Sequence, residues 1–214
     1  MRTLSRSELH IGGLLVAWLG AWGAWLAHPV AGLTQTALDL ALVAQRLPDV
    51  LYGQLGGMPD LLRVSIGLMA VALNVAAGRA TQRWLRWLLP ALALVLAVRL
   101  LPPYPQVLDL WRSPDHGGRF VVAAATLAGW IATLTGRRWP ARWQVAFALA
   151  LGVAALSTGL WAFLALQGAF AAATHLTFAP GWGLAFYVAG LLLATVLGLL
   201  AYLKPPPLPG GEPV

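Results

Sequence analysis

The sequence predicts an all-α, polytopic integral membrane protein: a helical bundle of six transmembrane helices with short outer interfacial helices. Three observations predict this fold class. The 214 residues are 59% hydrophobic and 10% charged, with a mean hydropathy of +0.74, which leaves too little polar surface for a soluble globule. The apolar residues fall into six stretches, each near the roughly 20 residues that cross a ~30 Å hydrocarbon core. The basic residues are dense in alternate connections between these stretches.

The six apolar stretches are predicted spans of one transmembrane domain, residues 1–204. The spans cover residues 10–28, 61–78, 87–101, 120–136, 143–166 and 182–203. The first follows two arginines, as a signal peptide would, but Trp25 stands where cleavage after Ala27 prefers a small residue. We therefore interpret this span as a retained helix. Residues 205–214 form a proline-rich tail that is predicted to be disordered.

The charges of the connections predict the topology. With the N-terminus inside, the inner side collects nine of the fourteen Lys and Arg residues, and all five aspartates lie outside. Basic residues resist translocation, so the inner side is predicted to be cytoplasmic and to hold both termini. The chain is predicted to be a multi-pass plasma membrane protein, and its excess of arginine over lysine suggests a bacterial source.

Composition and motifs exclude several functions. The net charge of +7 lies largely in short turns beside lipid head groups, so membrane lipids are expected partners and nucleic acid is not. The chain has no cysteine, which excludes disulfides, thiolate nucleophiles and cysteine-ligated metals. It has no Gly-x-Ser-x-Gly, His-Glu-x-x-His or glycine-rich phosphate loop. The sequence thus favours a protein without catalytic activity.

The first outer connection predicts a helix that lies flat in the outer interface. Over residues 34–47, Asp39 and Arg46 share a polar arc at 100° per residue, and leucines and alanines occupy much of the remainder. Pro48 is expected to end this helix. Residues 49–57 predict a second short interfacial helix that glycine closes.

Small residues recur at about four-residue spacing along three spans, which permits close packing where lipid provides no hydrophobic drive. These stripes are Gly13, Ala17 and Ala21 in the first span, Ala148, Gly152, Ala155, Gly159 and Ala162 in the fifth, and Gly190, Ala194 and Gly198 in the sixth. A separate face of the first span carries Trp18, Trp22 and Trp25, predicted to meet lipid or a partner subunit. Consecutive spans are predicted to pair as three outward-pointing hairpins.

Candidate functional residues concentrate on the outer connections. The predicted outer-face binding set consists of acids and arginines near two proline-broken helices: Asp39, Arg46, Asp49, Asp109, Arg112 and Asp115. Each outer connection also carries one histidine: His28, His116 and His175. If their rings converge, they would bind a metal ion or haem. The alternative, which we expect, is three separate interfacial histidines, because no short ligand spacing is present.

The membrane interior carries almost no ionisable group, whereas ion pumps and proton-coupled transporters need such groups near mid-membrane. Arg63, Arg99 and Arg119 lie at the outer ends of spans, where they are predicted to snorkel. These features favour a non-catalytic accessory or assembly subunit of a membrane complex, which binds a partner subunit, a lipid or a small molecule at its outer face. The six-span layout with a long first outer loop also resembles membrane-embedded binding subunits of vitamin and metal uptake systems. That resemblance implies a substrate-binding component of a small-molecule uptake transporter. A metal- or haem-handling protein is the third hypothesis.

Overall fold

Helices dominate the fold. The computed structural model of the chain describes residues 6–30, 34–102, 117–136 and 139–203. Its helices are α1 (Arg6–Trp22), α2 (Ala37–Ala44), α3 (Pro48–Leu51), α4 (Met58–Ala77), α5 (Leu85–Arg99), α6 (Gly117–Thr135), α7 (Ala141–Thr174) and α8 (Trp182–Tyr202). Its strands are β1 (Ala24–Ala27), β2 (Gln35–Thr36) and β3 (Ala179–Pro180). The predicted helical class is confirmed. Residues 205–214, the predicted tail, lie outside the described residues.

Four of the described helices are long and apolar enough to cross a membrane. They are α4, α6, α7 and α8, with mean hydropathies from 1.4 to 2.3. By length and composition the chain is a multi-pass membrane protein. The other two predicted spans correspond to shorter helices, with 17 residues in α1 and 15 in α5. At 1.5 Å per residue, α5 is about 22 Å long against a hydrocarbon core of about 30 Å.

The largest helix interfaces join α1 to α8 and α4 to α7. Consecutive spans were expected to pair as three hairpins, and this is wrong: α1 with α4, α5 with α6 and α7 with α8 all touch, but none of these pairs is the main interface of its helices. The reason lies in the small-residue stripes. A Cβ atom on Gly13 would lie 2.8 Å from the backbone nitrogen of Ala194, and one on Gly190 would meet the backbone of Ala17. The stripes of α1 and α8 therefore bring two backbones into contact, as the stripe pattern predicted.

The fifth span is longer than predicted. Residues 143–166 were expected to be helical, whereas α7 continues to Thr174 and ends at His175, whose φ of 56° is left-handed. The small residues of this helix face the bundle interior, with Ala155 and Ala162 fully buried. Since α4 packs along this stripe, α4 becomes the most enclosed of the four long helices.

The first span ends earlier than predicted, at Trp22 rather than residue 28. Beyond it the chain is extended as β1, which pairs antiparallel with both β2 and β3 in the order β2-β1-β3. The backbone N–H of Gly181 also donates to the carbonyl of Trp25, at 2.8 Å. The Trp25 side chain is fully buried, with its ring centroid 4.9 Å from that of Tyr187. The prediction that Trp25 faces lipid or a partner is therefore wrong.

The predicted helix in the first outer connection exists, but it is shorter, over Ala37–Ala44. Thr36 caps it, since the Thr36 hydroxyl accepts a hydrogen bond from the backbone N–H of Asp39. Leu40 and Ala41 are fully buried against the bundle, so protein covers this apolar face. Pro48 does not end α2. It occupies the first turn of α3, a position that suits its missing N–H, and α3 itself is shorter than the predicted 49–57.

Candidate functional site

An amphipathic pocket lies at one end of the bundle, between α2, the end of α5 and the start of α6. We call the end that carries α2 and the three strands the outer end, and the opposite end the inner end. The pocket has a volume of about 320 Å³. Its lining residues are Leu38, Asp39, Leu42, Val98, Arg99, Leu101, Pro102 and Arg119. We refer to it as the outer pocket.

Arg119 is fixed in the wall of the outer pocket by the end of α5. Its Nε donates to the carbonyl of Leu100 at 3.0 Å, and its Nη2 donates to the carbonyl of Leu101 at 2.8 Å. Carbonyls at a helix C-terminus lack partners within the helix and lie at its negative end, where a cation is stabilised. The guanidinium of Arg119 is therefore held in place beside the pocket by two backbone carbonyls.

Arg99 supplies a second positive charge. It is the last residue of α5, and its guanidinium carbon lies 5.5 Å from the centroid of the Trp22 ring, within the range of a cation–π contact. The side chain is otherwise exposed. Two arginines thus border one side of the pocket, and Asp39 on α2 is the only carboxylate that the described residues contribute to its lining. The balance of charge favours an anionic group in the pocket.

An ion pair between buried Arg63 and half-buried Asp60 connects elements near the outer pocket. Arg63 is 2% exposed, donates to the carboxylate of Asp60 and donates through Nη2 to the carbonyl of Ala41 at 3.0 Å. It therefore ties α2 to α4. The Asp60 carboxylate also approaches Gly118 in the first turn of α6, where the helix dipole favours negative charge. Arg63 thus has a structural role, which the snorkelling expectation missed.

The predicted outer-face residues separate into three groups. Asp39 lines the outer pocket, and the Thr36 hydroxyl lies 2.7 Å from its Oδ2. Arg46 and Asp49 are exposed at the surface and are not part of the pocket lining. The remaining members lie outside the described residues: Asp109, Arg112 and Asp115. The sequence interpretation did not assign Arg99 and Arg119 to the site. Their shared signal is that two consecutive spans each carry an arginine at the outer end.

Two of the three predicted site histidines, His28 and His175, are among the described residues. His28 packs on Phe178 with ring centroids 5.3 Å apart, and its Nδ1 accepts from the backbone N–H of Val30 at 3.1 Å. His175 is exposed at the end of α7. His116 lies outside the described residues, so the three-histidine site stays a prediction. Within residues 6–30, 34–102, 117–136 and 139–203, no group of three or more His, Asp or Glu residues could hold a metal ion.

Several polar side chains within the membrane-spanning helices form hydrogen bonds to a neighbouring helix. The Ser65 hydroxyl donates to the carbonyl of Ala155 at 2.7 Å, and the Tyr187 hydroxyl donates to the carbonyl of Ser65 at 3.0 Å. Ser65 and Tyr187 are both buried, and their hydroxyl oxygens lie 2.7 Å apart. The Asn74 side chain similarly donates to the carbonyl of Trp130 at 2.8 Å. Such bonds join helices where water is excluded, which identifies these residues as structural.

Hydrogen bonds at the inner end join α1 to α8 and to the turn that follows α4. His10 is buried, and its Nδ1 donates to the carbonyl of Ala194 at 2.8 Å, which holds α1 to α8. The hydroxyl of Thr81 donates to the carboxylate of Glu8 at 2.9 Å. Burial lowers the pKa of Arg79, in the turn that follows α4. The hydrogen bonds of His10 and Thr81 connect neighbouring elements, so these two side chains have a structural role.

Comparison with known proteins gives no relative: no protein-family model, no curated protein and no solved structure matches this chain.

Proposed function

We propose that this chain is a six-span protein of a bacterial plasma membrane, with both termini cytoplasmic, that binds a ligand at its extracytoplasmic face without catalysis. In this proposal it acts as an accessory or assembly subunit of a membrane complex. The packing of α1 supports the proposed number of six membrane spans. α1 lies against α8 over most of its length: Gly20 approaches Gly183 near one end, and His10 contacts Ala194 near the other. If α8 spans the membrane, α1 crosses the same depth.

The same reasoning applies to α5. The indole N–H of Trp18 on α1 donates to the carbonyl of Leu92 at 3.1 Å, and that of Trp130 on α6 donates to the carbonyl of Pro90 at 3.0 Å. Both acceptors lie in the first half of α5, which supports a position of this helix at the same depth as its neighbours. Its shortness is compatible with a span, because a bilayer accommodates a short helix by local thinning and snorkelling.

The outer pocket supports an anionic, amphipathic ligand. The observation that carries the proposal is the placement of Arg99 and Arg119 beside apolar walls, with Asp39 as the only acid among the described lining residues. Guanidinium groups suit carboxylates and phosphates because their N–H groups match the spacing of the anionic oxygens. The apolar walls would cover an alkyl or aromatic part. The volume of about 320 Å³ is typical of a small-molecule site.

A second function, the substrate-binding component of an uptake transporter, is favoured by the same volume. A pocket of small-molecule size at the outer face is where such a component would first capture its substrate. The two functions differ in the fate of the bound anion. A transporter component would pass the anion to the cytoplasm when combined with its energy-supplying partner, whereas an accessory subunit would retain it. Uptake of a labelled anion into vesicles containing the whole complex separates them.

Ligand binding is tested with the purified protein and three probes of similar length: octanoate, octyl phosphate and octanol. We expect both anions to raise the thermal unfolding temperature more than octanol does. Arg99→Gln should weaken anion binding about fivefold, since one exposed charge pair contributes up to about 1 kcal/mol. The matched control is Arg83→Gln, an exposed arginine at the inner end. Equal stabilisation by octanol, or equal losses in the two variants, would refute the proposed ligand chemistry.

The topology is tested by single cysteines, because the native chain has none. Gln54→Cys and Asp115→Cys should react with a membrane-impermeant maleimide in intact cells. Gln82→Cys and Gly210→Cys should be protected until the cells are opened. The reverse pattern would overturn the proposed orientation.

A further inference from the structure

An open groove runs along the first turns of α7 at the inner end. Its volume is about 520 Å³, and it is lined by Trp139, Pro140, Trp143, Ala146, Phe147 and Ala150. All the lining side chains that the structure describes are apolar or aromatic. The lining residues recur at three- or four-residue intervals, so they form one stripe of the helix. From residue 139 to residue 150 this stripe extends about 16 Å at 1.5 Å per residue, a length that accommodates much of an acyl chain.

A smaller polar pocket continues this groove toward the helix ends. Its volume is about 290 Å³, and it is lined by Arg142, Trp143, Ala146 and Tyr202. Trp143 and Ala146 belong to both linings, so the two spaces lie side by side. We call the polar part the inner pocket and the apolar part the inner groove. Together they present a charged end and an apolar channel, which is the shape of an amphiphile.

Arg142 supplies the charge of the inner pocket. Its guanidinium carbon lies 5.0 Å from the centroid of the Tyr202 ring, and its Nη2 lies 3.5 Å from the Tyr202 hydroxyl. Tyr202 therefore holds an exposed arginine of α7 against the end of α8. The pocket also lies at the N-terminal end of α7, where the helix dipole adds to the attraction for an anion. Within the part of the chain that the structure describes, no acidic residue belongs to either lining.

We propose that the inner pocket and inner groove bind an anionic phospholipid, with its phosphate on Arg142 and one acyl chain along the groove. The proposal rests on the membrane arrangement of the proposed function, which places this end at the surface of the cytoplasmic leaflet. Trp139 and Trp143 are 42% and 68% exposed, as expected of indole rings at the level of lipid head groups. A protein segment would need a carboxylate and an apolar helix face together, whereas the leaflet supplies a phosphate and an acyl chain in one molecule.

The test is native mass spectrometry of the intact protein, titrated in detergent with phosphatidylglycerol or with phosphatidylcholine of the same acyl chains. We expect tighter retention of phosphatidylglycerol, because each basic residue near the membrane surface favours an anionic lipid by about fivefold. Arg142→Gln should remove about that factor. Arg83→Gln, which deletes an equally exposed arginine at the same end outside both linings, should keep wild-type retention.

A second variant tests the apolar half of the site. Ala146→Trp fills the space that the inner pocket and inner groove share, so it should weaken retention of both lipids while helical circular dichroism stays unchanged. Equal retention of the two lipids by the wild type, equal losses in Arg142→Gln and Arg83→Gln, or unchanged retention in Ala146→Trp would each overturn the proposal. Octanoate binding at the outer pocket reports on the proposed function separately, because none of these variants changes the outer pocket.

Discussion

The close contact of α1 with α8 makes a sharp prediction about two adjacent glycines. Gly12 and Gly13 both lie in α1, but their surroundings differ. A Cβ on Gly12 would have no atom within 4 Å. A Cβ on Gly13 would lie 2.8 Å from the backbone nitrogen of Ala194 and 2.9 Å from the carbonyl oxygen of Gly190. These are backbone atoms, so a new methyl group is accommodated only if the helices separate.

The magnitude comes from comparing the two alanine variants. Replacing glycine by alanine inside a helix favours the helix by about 1 kcal/mol, and this gain is common to both variants. Only Gly13→Ala adds a steric cost, typically about 1–3 kcal/mol for an extra methyl group in a packed interior. Gly12→Ala should therefore be neutral or stabilising. Gly13→Ala should be less stable than Gly12→Ala by about 1–3 kcal/mol.

The assay is unfolding by sodium dodecyl sulfate in mixed micelles, followed by tryptophan fluorescence. The chain has 11 tryptophans, and the buried Trp25 lies beside Tyr187 of α8, so separation of the two helices should change the emission. Gly13→Ser provides a further substitution of similar size. Equal midpoints for Gly12→Ala and Gly13→Ala would refute the proposed backbone contact.

The remaining predictions concern the outer end and the interior, and thermal unfolding of the purified protein measures all three. Leu40→Asp should destabilise by several kcal/mol, because it buries a carboxylate without a partner. Asp39→Ala should cost only about 1 kcal/mol, because it removes the exposed hydrogen bond that the carboxylate accepts from the Thr36 hydroxyl and an acid in the first turn of α2. Equal losses would contradict the burial of α2 on the bundle. Asp60→Asn should lower the free energy of unfolding by about 1–3 kcal/mol, since it weakens the charge-assisted bond to buried Arg63. Adding Arg63→Met in the same chain should recover part of that loss, and no recovery would contradict a structural role for the ion pair. Tyr187→Phe should lower the free energy of unfolding by about 1–3 kcal/mol, because it removes a buried, hydrogen-bonded hydroxyl. A Tyr187→Phe variant as stable as the wild type would show that this hydroxyl is not bonded across the helices.

The sequence predicted the helices well, because their signal is local. Hydropathy over a window of about 20 residues locates α4, α6 and α8 to within a few residues. The small-residue stripes correctly indicated the faces that pack closely. The periodicity of small residues does not show which helix packs on which, since Gly13 and Gly190 are compatible with several helix pairs. The choice of α8 for α1 depends on the whole bundle.

The errors near residue 23 have the same origin. Residues 24–27 are apolar and continue the first span in composition, yet they form β1. The close approach of Gly23 to Gly183 and the pairing of Leu26 with Pro180 are long-range contacts. The outer pocket was missed in part for a related reason. Asp39 was identified from its polar arc, but Arg99 and Arg119 join it only because three distant elements meet.

The contact between α1 and α8 has a consequence for biogenesis. About 160 residues separate the end of α1 from the start of α8, so at ordinary rates of synthesis α1 waits roughly 10–30 s for its partner. During that time the backbone surface around Gly13 and Gly20, which packs on α8 in the finished bundle, faces lipid or the insertion machinery. β1 waits as well, because its neighbour β3 is made just before α8. Assembly of this bundle is therefore completed by its last helix, and chains that stop before α8 should be recognised by membrane quality control.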